Sequence, residues 1–307
     1  MMGYPAFEFD PSLIEEAVFL WIHKQEQSVD SQYLRLFQLK REKIYESQLN
    51  QDLKDRAFKD LYRDFFHELK LHKIFEEVLL QFQLLAEPHI LTFFKRVYGK
   101  KETGAQLYVK EKLKTVIVGL QAHLLLKPLK LKAFLFHEIM HISDMLQPAF
   151  CYSPRSFLGG LNEIEDNLIR DRFRILWDLS IESRIRRRHW PTMVSEEIRE
   201  VEFEKVFLFL SHEERRAILL KVRNDENLIQ ADLIELAKDK RLHHTFCDQG
   251  LLCPLCYFPS YDTIKDWPDE TRWVAEEIQK NNPEWNPSMG ICRQCFELYQ
   301  SRIKITS

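Results

Sequence analysis

The sequence predicts a mainly α protein of the α+β class with one small strand region. Three observations carry that prediction. Apolar residues recur with the roughly 3.6-residue period of an amphipathic helix, as at Phe58, Leu61, Tyr62, Phe65, Phe66 and Leu69. Glycine is scarce, 8 in 307 residues, and none falls between Gly3 and Gly99, too few for a many-turned β fold. β-branched residues concentrate in a single short run, "TVIVGL", at positions 115–120.

Residues 1–100 are expected to form a helical N-terminal region, in which His67, His72 and His89 read as ordinary histidines. "YGKKETGAQ" follows as a turn-rich linker, and "KTVIVGLQAHLLL" supplies one or two strands. Pro128 suits the opening turn of a helix over 129–146, which stops before Pro148. Further helices are expected over 162–188, 195–221 and 228–238. From His243 onward, Cys, Pro, Gly and aromatic residues replace the helical rhythm. The expected division is therefore a helical region 1–100, a core 101–242 and a small module 243–307.

A net charge of −3 provides no overall field to recruit nucleic acid or an acidic membrane. Glu15 and Glu16 interrupt the N-terminal apolar run, unlike a secretory signal. No apolar stretch reaches the roughly 18 residues a membrane-spanning helix needs. The expectation is a soluble cytoplasmic chain without a membrane partner. Four of its 6 cysteines stand in two CxxC pairs, which in a reducing compartment indicate metal rather than disulfides.

The chemistry concentrates in "AFLFHEIMHISDML", positions 133–146. On a helix His137 and His141 share a face, with Glu138 one step around. Two histidines and a glutamate in so apolar a run need something to offset their desolvation, and H-E-x-x-H is the pattern in which two imidazoles hold Zn²⁺. Zinc lowers the pKa of its bound water from about 16 toward about 7, and the glutamate takes the proton.

"FHEIMHISDM" resembles the active-site helix of the zincin metallopeptidases, with the preceding "TVIVGL" placed where that fold keeps a strand lining the substrate cleft. The resemblance covers residues 115–188. It implies a zincin-like core that hydrolyses peptide bonds by a zinc-bound water, with Glu138 as general base and later proton donor. The peptide or protein substrate would lie along residues 115–120. Asp144 and Gln147 stand where metzincins have Gly and a third His, which excludes that subgroup.

Catalytic zinc takes three protein ligands and keeps one open position. No histidine follows His141 before His189, so a carboxylate is expected, the gluzincin type of arrangement. Glu182 is the first choice, with Asp178 as partner of a ligating imidazole; the reverse assignment ranks second. Glu163 in "NEIED" ranks third, one residue short of the gluzincin spacing. Asp144 is a ligand or an outer partner. Arg184 is a candidate for steadying an oxyanion, within a cluster that also holds Arg186, Arg187, Arg188 and His189 and complements a helix C-terminus.

Cys253-Pro-Leu-Cys256 and Cys292-Arg-Gln-Cys295 form two knuckles able to close an S₄ shell around a second, structural zinc. Cys247, with His243 and His244 upstream, is a less favoured ligand, and Cys151 reads as inert. Four-cysteine modules also bind nucleic acid or protein partners, so a nucleic-acid contact stays open. An HExxH segment followed by CxxC…CxxC resembles, in order only, the SprT-like proteases that act on DNA-bound proteins, a likeness of architecture and not of substrate. The alternative function is a non-catalytic zinc-binding adaptor that uses the cysteine module and N-terminal helices. Oligomeric state is not encoded in these patterns.

Overall fold

The computed structural model describes residues 4–26, 32–154, 158, 163–238, 251–257, 259–260 and 263–303. The chain is mainly helical with a small mixed sheet, and it divides into two compact units, Met1–Gly159 with Ile169–Ala237, and Gly160–Leu168 with Lys238–Ser307. No helix among the described residues is long and apolar enough to cross a membrane.

The larger unit opens with β1 (Ala6–Phe9) and α1 (Pro11–Glu26), followed by α2 (Gln32–Glu46), α3 (Gln51–Glu68) and α4 (Lys73–Leu79). Asp10 joins strand to helix: its carboxylate accepts from the Ser12 N–H at 3.0 Å while its own N–H donates to the Phe94 carbonyl at 2.8 Å. Pro11 then occupies the first helical position, where its missing N–H costs nothing. Asn50 caps α3 in the same way, accepting from Leu53 N–H at 3.0 Å.

Next come β2 (Ile90–Arg96), β3 (Gly104–Lys110) and β4 (Leu113–Leu120). The sheet order is β1-β2-β4-β3, with β1, β2 and β4 mutually parallel and β3 antiparallel to β4. Two expectations are corrected here. The first 100 residues are not all helical, because β1 and β2 belong to this sheet and pair through to β4. β4 offers no free edge to an extended peptide, because both its edges are hydrogen-bonded, to β2 and to β3; the edge strands are β1 and β3. Behind the sheet, Phe9, Phe66, Phe75 and Phe94 pack ring against ring at 4.5–5.3 Å between centroids, which fastens α3 and α4 to it.

Gly104 and Gly119 face each other in the β3–β4 register. A Cβ on Gly119 would stand 2.5 Å from the Glu102 carbonyl oxygen and 2.9 Å from Val97 Cγ1, so only glycine lets the backbones approach this closely.

After a 3₁₀ turn over Ala122–Leu126, α5 (Pro128–Leu146) packs against α4 and β3. It is buried on nearly every side, as its apolar sequence demands. Then follow α6 (Glu163–Arg187), α7 (Glu196–Val206), α8 (His212–Asn224) and α9 (Gln230–Ala237). The single helix expected over 195–221 is two. Ser211 and Glu214 form a capping box, each side chain accepting from the other's N–H, and that starts α8 afresh.

The smaller unit contains β5 (Leu251–Leu252), β6 (Pro259–Ser260), β7 (Thr263–Ile264), α10 (Arg272–Asn281), β8 (Ile291–Cys292) and α11 (Arg293–Ile303). Its own core holds Val274, Ile278, Trp285 and Ile291 around the cysteines.

Candidate metal centres

The third and fourth turns of α5 carry His137 and His141, whose ring centroids are 5.0 Å apart. α6 presents Asp178 and Glu182 to them. His137 Nδ1 lies 2.9 Å from Glu182 Oε1, and its other nitrogen, Nε2, lies 3.6 Å from Asp178 Oδ1. The same Asp178 oxygen is 3.0 Å from His141 Nε2. One carboxylate oxygen therefore sits between two ring nitrogens, and the donor atoms of His137, His141 and Asp178 all fall within 4.8 Å of one another. That is the reach of a single ion.

The donor set fits a cation. Nδ1–H of His137 donates to Glu182, so in the neutral ring Nε2 presents a lone pair toward a carboxylate oxygen. Two lone pairs face each other unless a proton or a metal lies between them. In the metal-free chain the proton takes that place: burial opposes a charge on His137, but the hydrogen bonds to Asp178 and Glu182 outweigh it and hold the pKa up at about 9. Burial likewise opposes ionisation of Asp178, yet His137 and His141 overcome it and keep that carboxyl well below the usual range.

Of the two acids chosen from sequence, it is the second choice, Asp178, that groups with both histidines. Asp178 meets both Nε2 atoms, whereas Glu182 sits on the opposite nitrogen of His137, where it orients the ring. Glu182 is 1% exposed, and its Oε2 has no hydrogen-bond partner among the described residues. The charge that accompanies it is Arg199, which sequence reading missed. Arg199 Nη1 donates to Asp178 Oδ2 at 3.2 Å and to Glu202 at 2.8 Å, and Nη2 is 3.8 Å from Glu182 Oε1. A usable signal existed: on α7 Arg199 is in phase with Phe203 and Phe207, so a cation stands in the buried stripe of the helix.

Asp144 and Arg184 are also placed differently from expectation. Arg184 clasps Asp144 through both terminal nitrogens, at 2.7 and 2.6 Å, and the Trp177 indole N–H donates to Asp144 at 2.7 Å. Asp144 is thereby committed away from the histidines, and both terminal nitrogens of Arg184 are engaged on it. Their influence reaches the site through Trp177, whose ring meets His141 edge-on at 4.4 Å.

Glu138, beside His137, turns to the sheet. Its Oε2 accepts the Ala105 N–H of β3 at 2.7 Å, and Oε1 has no hydrogen bond among the described residues. Gly104 makes room for it: a Cβ there would touch Oε2 at 3.4 Å, on a backbone with φ +140°.

In the smaller unit Cys253, Cys256, Cys292 and Cys295 bring their sulfurs within 4.8 Å of one another, an arrangement compatible with a zinc knuckle. The first pair follows β5, and the second spans β8 and the first turn of α11. Main-chain N–H groups point at the sulfurs, from Cys292 to Cys253 at 3.3 Å and from Cys295 to Cys292 at 3.4 Å. Burial raises the Cys253 thiol pKa, but the main-chain N–H groups of Cys292, Cys256 and Leu255 outweigh it and the net shift is downward. Burial and the neighbouring thiols push Cys295 far up. Four thiolates so close need a cation between them. Cys151 is exposed, turned onto the Pro148 carbonyl at 3.4 Å, and belongs to neither group. His243, His244 and Cys247 lie outside the described residues, as does the Glu163 side chain.

Comparison with protein-family models, with curated proteins and with solved structures returned no match.

Proposed function

We propose that this protein is a zinc-dependent metallopeptidase with a zincin-like core, in which His137, His141 and Asp178 hold the catalytic ion and Glu138 is the general base. A second, structural zinc is held by Cys253, Cys256, Cys292 and Cys295, thiols that suit the reducing cytoplasm. The observation that carries the reading is the single oxygen of Asp178 shared between the two Nε2 atoms, at 3.6 and 3.0 Å, on the helix that also carries Glu138.

When bound, zinc polarises a carbonyl and acidifies the water at its open position. Glu138 is held by the Ala105 N–H through one oxygen, so the other is free to accept a proton from water and return it to the departing amine. Glu182 fixes the tautomer of His137, and Arg199 offsets the charge of the two acids. β3 presents an outer edge bare of any strand among the described residues. Ala105 aims its N–H outward there, so Leu107 and Val109 align their main-chain groups along the same edge, ready to pair with an extended peptide.

Glu138→Gln keeps the shape of the side chain and every zinc ligand. It should retain metal while hydrolysis of a peptide library falls by at least about a hundredfold. Undiminished turnover would remove Glu138 from the reaction.

One observation favours the adaptor reading: His137, His141, Asp178, Glu182 and Arg199 also pair with one another as a charge network without an ion. Metal analysis separates the two. Zinc at both clusters supports the peptidase, and zinc at the cysteines alone supports the adaptor.

A further inference from the structure

We propose that the cavity beside the opening turns of α5 selects the substrate, and that it takes an acidic side chain, glutamate or aspartate. This rests on the peptidase reading. The cavity is about 590 Å³. Two of its wall residues neighbour the reaction centre. Phe134, in its wall, is four residues before Glu138 and on the same face of α5. Thr103, also in its wall, directly precedes Gly104, the residue against which Glu138 rests. A peptide laid along β3 would therefore drop a side chain into this space within one helical turn of the general base.

The chemistry of the walls sets what fits. Leu124, Ala133 and Phe134 give an apolar floor, the last two buried, suited to methylene groups, and Lys100, Lys130 and His123, all exposed, line the cavity with them. No acid lines the cavity. Among the described residues neither Lys100 nor Lys130 has an acidic partner, whereas Lys132, on another face of α5, is paired with Glu77 at 2.8 Å. Glu102, the nearest acid in sequence to Lys100, is turned back onto the N–H groups of Tyr98 and Gly99 at 3.3 Å. Two unneutralised ammonium groups above an apolar floor complement a short stem with a carboxylate tip.

Binding tests this without cleavage. Zinc-loaded protein carrying Glu138→Gln is titrated with labelled peptides that differ only by Glu, Gln or Lys at one scanned position. At one position Glu should bind about tenfold more tightly than Gln, the sum of two exposed ion pairs. Lys100→Glu with Lys130→Glu, both at the surface, should invert the order to Lys over Gln with zinc content and circular dichroism unchanged. Equal binding at every position, or a Glu preference that survives the double substitution, overturns the proposal. Hydrolysis of neutral peptides by the unmodified chain is read in parallel. Its absence beside an intact Glu preference removes the peptidase reading and leaves the acid-selective pocket standing.

Discussion

Asp178 and Glu182 carry the same charge one helical turn apart, yet His137 offers a different nitrogen to each. Their substitutions should accordingly separate. Asp178→Asn removes a group that faces both Nε2 atoms and should abolish zinc retention at the core site. Glu182→Gln, which keeps an acceptor for Nδ1–H, should weaken it only about 10–100-fold. Zinc titration after chelation, with the cysteine cluster as internal reference, measures both; equal losses would put the two acids on the same footing. The HExxH trio and the pair of acids on the second helix can be picked out of the sequence because charged residues stand in apolar runs. Which acid faces which nitrogen cannot, since it depends on the relative rotation of α5 and α6. The phase of Arg199 marks it as buried, but its pairing with these acids is out of reach for a related reason: they are 21 and 17 residues away, on another helix.

Among the elements, the Gly119 contact sets how closely β4 can lie against the turn at Glu102. Gly119→Ala pushes a methyl into a backbone oxygen and should lower stability by about 1–3 kcal/mol. Thermal unfolding measures this; an unchanged midpoint would mean that the turn simply yields. α5 is legible because Pro128 and Pro148 bracket a strongly apolar stretch, and its bounds follow from them. β2 is not, because in "ILTFFKR" apolar residues stand on both faces and leave no alternation to separate strand from buried helix. β3 carries a weak period of two, Leu107 and Val109 between Gln106, Tyr108 and Lys110, and a two-residue turn at Glu111 follows it with φ 55°. The glycine and lysines before it read as a linker instead.

For the whole molecule, two compact units with separate cores imply separate stabilities. The smaller one has few apolar residues, with Cys256 and Cys292 sulfurs 3.6 Å apart across 36 residues of chain. Its stability should rest on metal, since structural zinc contributes folding free energy directly. Removing zinc with a chelator should collapse amide-exchange protection over 263–303 while β2, β4 and α5 stay protected. Loss in both units together, or in neither, would contradict that independence. The local half of this centre, the two CxxC knuckles, is plain in the sequence. That they meet depends on α10 and the Trp267–Trp285 contact at 5.6 Å folding the insertion between them.

The Ala105 donor has one more consequence. Its N–H belongs to the main chain, so every amino acid but proline at that position supplies it. Side-chain drift there leaves the aim of Glu138 untouched, while a one-residue slip of the strand would turn the donor inward and release it. In the proposed peptidase, reactivity is thus buffered against point mutation and exposed to anything that loosens the sheet margin.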